Sequence, residues 1–458
     1  MVVREILERM EQRAPVSVML RAMLENVFAA ERLDRLFEKT AQTQENKTLL
    51  FSAVADMMAL VALKIQPSVH AAYQERKKDI GVTAKAIYDK LQRTEPCVSQ
   101  AIVRDSAMQL GTITGKLRHG RKELLPGYYV KVVDGNHFRR TERRLKELRT
   151  LNAAPLPAHC LVVLDPQTKL AIDVFPCEDG HAQERTLLPA VLETVERDDA
   201  WMADRNFCTR DFLLGIQRRR ARFIIRQHAS LPCQLVGKRR KIGHSETGVV
   251  FEQALQLLDA DGAPAATFRR ITVELIQPTR DGEHELHIVT NLPRSVTALR
   301  VAELYRKRWT IETAFQEIAA NLEGEIETLG YPRAALFAFC MALVSFNLLS
   351  VILSAFRATQ QAEAADEISI YYLCDEIAHT YRGLDLVLND SDWAKAFGSL
   401  TPAQLARRLE QIAAGVDLSR YRKHQRGPKK TPPKMHKTKR NHVSTARVLI
   451  QSRGKVSC

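Results

Sequence analysis

Cysteine is scarce and never paired along the chain. The eight residues (Cys97, Cys160, Cys177, Cys208, Cys233, Cys340, Cys374 and Cys458) form no CxxC unit and no zinc-ligand spacing. That excludes a zinc-finger or disulfide-scaffold protein and suits a reducing compartment, with cysteine serving as a small apolar side chain. No signal peptide is visible, because MVVREILERMEQR is charged from its fourth residue, and no internal repeat occurs. Acidic residues are missing after Asp417, whereas 13 Lys and Arg follow it in a chain of formal net charge +15. A basic, Pro-interrupted tail (RGPKKTPPKMHKTKR) on a near-neutral body fits a polyanion such as nucleic acid, the plainer alternative being a solubilising tail. Charge is also absent from Ala334 to Ala355, a run long enough to cross a bilayer. Ser345, Asn347, Ser350 and Ser354 interrupt it and a polar helix precedes it, so the pattern predicts a helix buried in the protein centre and no membrane.

At 458 residues the chain exceeds one core, and its texture divides it. Residues 1–120 read as helical and as a DNA-end-binding region. Within them two short helices break near Arg93–Pro96, and Ser99, Gln100 and Arg104 on the second are compatible with a DNA-reading unit or an ordinary helical hairpin. From 128 the pattern becomes β: YYVKVVDGNHF predicts a strand ending at Asp134–Gly135, and HCLVVLD with KLAIDVFP predicts a hairpin. QERTLLPAVLETVE reads as a helix, AWMADRNF as a strand ending at Asp204, FLLGIQRRR as a helix and ARFIIRQH as a fifth strand. This order implies an α/β core with a mixed sheet, over 121–224 and 296–357. Residues 225–295 read as a β-rich insertion and 358–419 as a helical region opened by an exposed connection, RATQQAEAADE. Residues 420–458 form the basic tail.

VAELYRKRWTIETAFQEI, residues 301–318, contains no Gly or Pro and predicts one amphipathic helix, with Trp309 assigned to the core side. At about 100° per residue, Tyr305, Arg308 and Glu312 fall within roughly 60° of one another. A phenol, a guanidinium and a carboxylate on one stripe suit a grip on a metal and a phosphate, although an Arg–Glu pair also occurs on solvated faces. Metal-assisted phosphodiester chemistry needs carboxylates at neighbouring strand ends plus one more from a helix. Asp134 and Asp204 stand at the predicted strand ends and Glu312 on the helix. Taken singly, Asp134–Gly135 also reads as a turn and Asp204–Arg205 as a surface pair. His137 is set aside as a ligand because Mg²⁺ prefers oxygen.

YRKRWTIE resembles the signature Y-x2-R-x3-E-x6-K of bacterial DDE transposases of the insertion sequence four type, with Tyr305, Arg308 and Glu312 at its first three places. VVDGN resembles that family's first-Asp motif and ADRNF its second, with Phe207 at the aromatic place. The signature Lys falls at Ala319, where Lys307 or a residue of the insertion is the candidate substitute. The resemblance, over roughly residues 100–445, implies an RNase H-like mixed sheet with a β-rich insertion, flanked by helical N- and C-terminal regions. It implies that Asp134, Asp204 and Glu312 are catalytic and hold two Mg²⁺ ions, Mn²⁺ being a substitute. Double-stranded DNA, both element ends and target, is the implied partner, with a homodimer in the synaptic complex and a bacterial cytoplasmic, nucleoid-associated location. DNA contacts are assigned to Tyr305, Arg308 and Lys307, to Arg139 and Arg140 after the first Asp, whose basic run also reads as a solvated loop, and to Lys429 and Lys430 in the tail. The implied reaction is cleavage at terminal inverted repeats, then joining of 3′-OH ends to target DNA. The alternatives are a nuclease of the same fold and a catalytically inactive DNA-binding relative.

Overall fold

The computed structural model describes residues 2–117, 123–138, 145–149, 151, 153–279, 282–360, 362–424 and 442–455. The N-terminal region is helical, as its three-and-four apolar spacing requires: α1 (Val2–Arg13), α2 (Pro15–Val27), α3 (Ala30–Thr40), α4 (Phe51–Ala62), α5 (Val69–Ile80), α6 (Ala84–Arg93) and α7 (Pro96–Thr114). Pro96 opens α7, where its missing N–H leaves no hydrogen bond unmade. The polar residues of α7 reach toward the sheet, although the Arg104 side chain stays partly exposed. Arg104 donates to both oxygens of Asp173 at 2.6 and 2.8 Å, Gln100 donates to the same carboxylate at 3.2 Å, and Ser99 is fully buried. These residues fasten α7 to the sheet, an arrangement that suits the ordinary helical hairpin of the two alternatives.

The strand region begins with β1 (Tyr129–His137), β2 (Ala154–Leu156), which lies outside the main sheet, β3 (His159–Asp165) and β4 (Leu170–Cys177). Next come α8 (Leu188–Glu193), β5 (Asp199–Ala203), α9 (Arg210–Arg218), β6 (Arg222–Arg226), β7 (Cys233–Ser245), β8 (Gly248–Leu258), β9 (Pro264–Leu275) and β10 (Glu285–Thr290). Nine strands lie in the order β4-β3-β1-β5-β6-β10-β9-β8-β7. β1, β5 and β6 are parallel neighbours and the other pairs are antiparallel, giving the mixed sheet of an RNase H-like fold. The β-rich stretch is continuous with this sheet, because β10 bonds to β6 with Ile288 opposite Arg226.

Three elements differ from expectation. β1 continues past Asp134–Gly135, because β3 pairs with it as far as His137 opposite His159, whereas its pairing with β5 stops at Val132 opposite Met202. The helix read over 183–196 is a 3-10 turn, Glu184–Leu187, followed by α8, whose first turn contains Pro189. The helix read over 301–318 is two, α10 (Ala298–Arg306) and α11 (Trp309–Asn321). Between them the amides of Lys307, Arg308, Thr310 and Ile311 bond three residues back, at 2.8, 3.0, 3.0 and 3.2 Å, a tightened 3-10 turn.

α12 (Pro332–Thr359) is long and apolar enough to span a membrane, yet its most apolar 18-residue window is 100% buried inside the protein. It packs against α2, α4, α6, α7 and β4. Its polar residues explain the fit. Asn347 accepts from the amide of Ala171 at 2.7 Å and donates to the Ala171 carbonyl at 2.8 Å, while Ser350 donates to the carbonyl of Lys169 at 3.0 Å. At Ala171 the outer edge of β4 is thereby satisfied by a side chain rather than by another strand. α13 (Ala362–Asp366) occupies part of the connection read as exposed, and α14 (Ile370–Val387), α15 (Asp390–Trp393) and α16 (Pro402–Ala414) follow. Thr401 and Gln404 form a capping box at the start of α16. Beyond residues 425–441 the basic segment returns as β11 (His442–Ser444), parallel to β2, and α17 (Thr445–Lys455).

Strand alternation assigns the two faces. Val130, Val132, Ala200 and Met202 face the cluster containing α7, α10, α11 and α12 residues; Val133, Trp201 and Ala203 face the cluster built with α8 and α9. Asp134 and Asp204, two residues beyond Val132 and Met202, therefore belong to the first face.

Candidate active site

The parallel register aligns the first two acids. Val132 pairs with Met202, so Asp134 and Asp204 stand level where β1 and β5 part. Asp134 accepts from the Gly135 amide at 2.9 Å. Asp204 leaves β5 and caps a 3-10 turn, Arg205–Phe207, by accepting from the amide of Asn206 at 2.7 Å; Phe207, fully buried, anchors that turn.

Arg308 joins the third acid to the first. Its Nη1 donates to Asp134 Oδ2 at 3.2 Å and its Nη2 to Glu312 Oε1 at 2.6 Å. The tightened turn explains how it gets there: residues three apart eclipse in 3-10 geometry, so Tyr305 and Arg308 both face the sheet, the guanidinium 6.0 Å from the phenol ring centroid. Tyr305 is buried, whereas the Glu312 side chain is half-exposed. Trp309, one step round from Arg308, is 64% exposed rather than in the core. The same turn that brings Arg308 inward swings its neighbour out.

Burial pushes the Asp134 carboxyl up to about 7; Arg308 and the Gly135 amide oppose that rise, and Asp204 and Glu184 add to it. Burial also disfavours the Arg308 charge, but Tyr305, Asp134 and Glu312 outweigh it and its pKa rises. Burial raises the Tyr305 phenol well above its ordinary range, so it stays protonated. Several acids thus converge around one buried cation, and Asp134 is left short of positive charge.

Residues 125–348 match the family described as Transposase DDE domain. This stretch is similar to a transposase DDE domain. It runs from just before β1 into α12 and includes Asp134, Asp204, Tyr305, Arg308 and Glu312. No curated protein matches the chain.

The matched stretch contains one acid that the sequence did not single out. Glu184, in the 3-10 turn after β4, accepts from Asn206 Nδ2 at 2.5 Å and faces His137 Nδ1 at 3.7 Å. It lies under Gly135, where an added Cβ would meet its Oε1 at 1.9 Å. The available signal was the glycine itself, since Gly inside a strand marks close approach of another group. His137 stacks on His159 with ring centroids 5.0 Å apart. Lys307 is exposed, and so is Ala319; one residue beyond Ala319, the Ala320 carbonyl accepts from Lys64 Nζ at 3.3 Å. Arg139, Arg140, Lys429 and Lys430 lie outside the described residues.

The donor chemistry of the matched stretch fits a hard divalent ion, since its acids offer only oxygen and the buried Asp134 carboxylate has a single cation, Arg308, bonded to it at 3.2 Å. Among the described residues, however, no group of three or more His, Cys, Asp or Glu is gathered closely enough to hold a metal. The reason lies in the hydrogen bonds: Arg308 stands between Asp134 and Glu312. Asp134 and Asp204 offer a neighbouring pair, and Glu312 reaches it through the guanidinium.

Proposed function

We propose that this chain is a DNA transposase of the bacterial insertion sequence four type, cutting the terminal inverted repeats of its element and joining the 3′-OH ends to target DNA. The observation that carries the reading is the convergence of Asp134 and Asp204, level on adjacent parallel strands, with Arg308 and Glu312 from the helices that follow the β-rich strands. Asp134, Asp204 and Glu312 would hold two Mg²⁺ ions, which when bound supply activation of the attacking oxygen and stabilisation of the leaving one. The residues of the chain do the positioning. Arg308, fixed by Tyr305 behind it, offers a planar fork to a phosphate once it releases one carboxylate. The Asn206–Glu184 contact holds the Asp204 turn in place. Phosphodiester transfer asks little covalent help of a protein, so such placement is most of what is needed. Two copies would act together, each on one DNA end.

The test is incubation of the full chain with DNA from either side of its gene, plus a plasmid target, with Mg²⁺ and with EDTA. Joined products in Mg²⁺ alone support transposition, whereas nicks without joining assign the chain to a nuclease. Ala319 in place of the signature lysine favours the second reading, a DNA-binding relative without catalysis. Under that reading Asp134→Ala leaves DNA binding intact and there is no cleavage to lose.

A further inference from the structure

Resting on that functional reading, we infer that the free edge of the sheet, strand β7, is a docking rail for the phosphate backbone of duplex DNA on the catalytic face of the domain. β7 ends the nine-strand order and carries GKRRK in its middle, with residues 234–241 all exposed. Its ladder to β8 is bulged between Val236 and Arg240, where Gly237 adopts φ +73, and again between Lys241 and Gly243. Bulges at an edge re-aim side chains away from the sheet.

Pairing separates structural cations from free ones. Arg239 is occupied: it donates to Glu274 at 2.6 Å and Glu285 at 2.9 Å and lies 4.0 Å from the Phe251 ring centroid. Glu252, the acid directly opposite Arg240, is taken by Arg269 through bonds of 2.9 and 3.2 Å. Among the described residues no acid pairs with Lys238, Arg240 or Lys241, so three charges in four residues stand open to solvent. A short local run of unpaired cations on an extended strand matches the repeat of a phosphate backbone.

Register ties this edge to the acids. The β5–β6 ladder ends at Ala203 opposite Ile225, and the next row, level with Asp204, runs from Arg226 through Ile288, Ile271 and Glu252 to Arg240. Opposed residues share a face, so Arg240 points to the side of the sheet that holds Asp134 and Asp204. Five strand spacings of about 4.8 Å separate β5 from β7, at most ~24 Å. At about 3.4 Å per base pair that is ~7 base pairs from the reacting phosphate. α10 lies between, packed on β6, β7, β8 and β9, and its exposed end carries Lys307. Lysines on an edge also discourage strand addition by another copy; that simpler role predicts no effect on DNA.

The experiment compares the full chain with K238Q/R240Q/K241Q, and with K238R/R240K/K241R, which keeps the charge. Binding to a fluorescein-labelled duplex of arbitrary sequence is followed by anisotropy across a salt series. Each phosphate contact contributes about 0.9 to the slope of log K against log salt, so the neutral variant should lose at least the ~0.9 of Arg240, rising to ~2.7 when Lys238 and Lys241 also reach the backbone, and the charge-keeping one nothing. Should the neutral triple variant fail to fold by its melting curve, Arg240→Gln alone should lose about 0.9. A slope equal to that of the unaltered chain overturns the rail, as does a change in oligomeric state by light scattering with the slope preserved, which would give the edge to a second copy. Failure of the unaltered chain to bind any duplex would instead overturn the functional reading beneath it.

Discussion

Gly135→Ala tests how tightly the floor of the site is packed. The added methyl would sit 1.9 Å from Glu184 Oε1 and 2.5 Å from its Cδ. Glu184 is not free to swing aside, because its other oxygen accepts from Asn206 at 2.5 Å and the side chain is mostly buried. Displacing it costs about 1–3 kcal/mol of overpacking, plus about 1 kcal/mol for the lost hydrogen bond. Against that, Ala in a strand recovers about 0.5–1 kcal/mol of the conformational entropy that Gly loses on folding. The net loss is therefore about 1–3 kcal/mol. All three atoms nearest the added Cβ belong to Glu184, so in a Glu184→Ala background the same change should be neutral or stabilising by up to about 1 kcal/mol. Urea unfolding of the four proteins of this cycle gives the coupling directly. Equal cost in both backgrounds, or an unperturbed single variant, would refute the packing argument.

Other consequences follow from the same contacts. Asn347→Leu leaves the amide and carbonyl of Ala171 buried and unpaired, so it should cost about 2–5 kcal/mol, read by the unfolding midpoint, although it makes α12 more apolar. Trp309→Ala should change stability by less than about 0.5 kcal/mol, while Trp201→Ala, at a fully buried position, should cost about 3–5 kcal/mol; comparable losses would contradict the two placements. Asp134 has a folded pKa of about 7 against 3.8 for an unperturbed Asp, so folding favours its protonated form. Its contribution is fully present below about pH 4 and is lost as pH rises through 7, by up to about 4 kcal/mol. The stability of the unaltered chain minus that of Asp134→Asn should fall by that amount across the window. A difference that does not vary with pH would remove the claim that Asp134 is short of countercharge.

The legible parts of the chain were those in which local pattern and tertiary need agree. Alternation gave the β3–β4 hairpin and the strand before Asp204, Thr401 and Gly415 bracket α16, and the serines and asparagine of α12 correctly argued for burial in protein rather than lipid. Illegible features are those decided by a distant neighbour. Asp134–Gly135 has good turn chemistry, but the β3 ladder carries the strand through it. Residues 301–318 contain no helix breaker, and the turn at Lys307–Arg308 tightens where Arg308 engages Asp134, 174 residues away. Trp309 was assigned inward on size alone, and that turn exposes it. Glu184 belongs to the site only because the chain after β4 passes beneath Gly135. The cations of β7 look like any exposed run until the register shows which face Arg240 shares.

The central claim is that Asp134, Asp204 and Glu312 hold metal jointly, and titration of the chain with Mn²⁺, followed by calorimetry or spin resonance, tests it most directly. Asp134→Asn, Asp204→Asn and Glu312→Gln should each weaken binding by at least about tenfold, or 1.4 kcal/mol. Binding by Glu312→Gln as tight as that of the unaltered chain would contradict the account, leaving Glu312 merely the partner of Arg308.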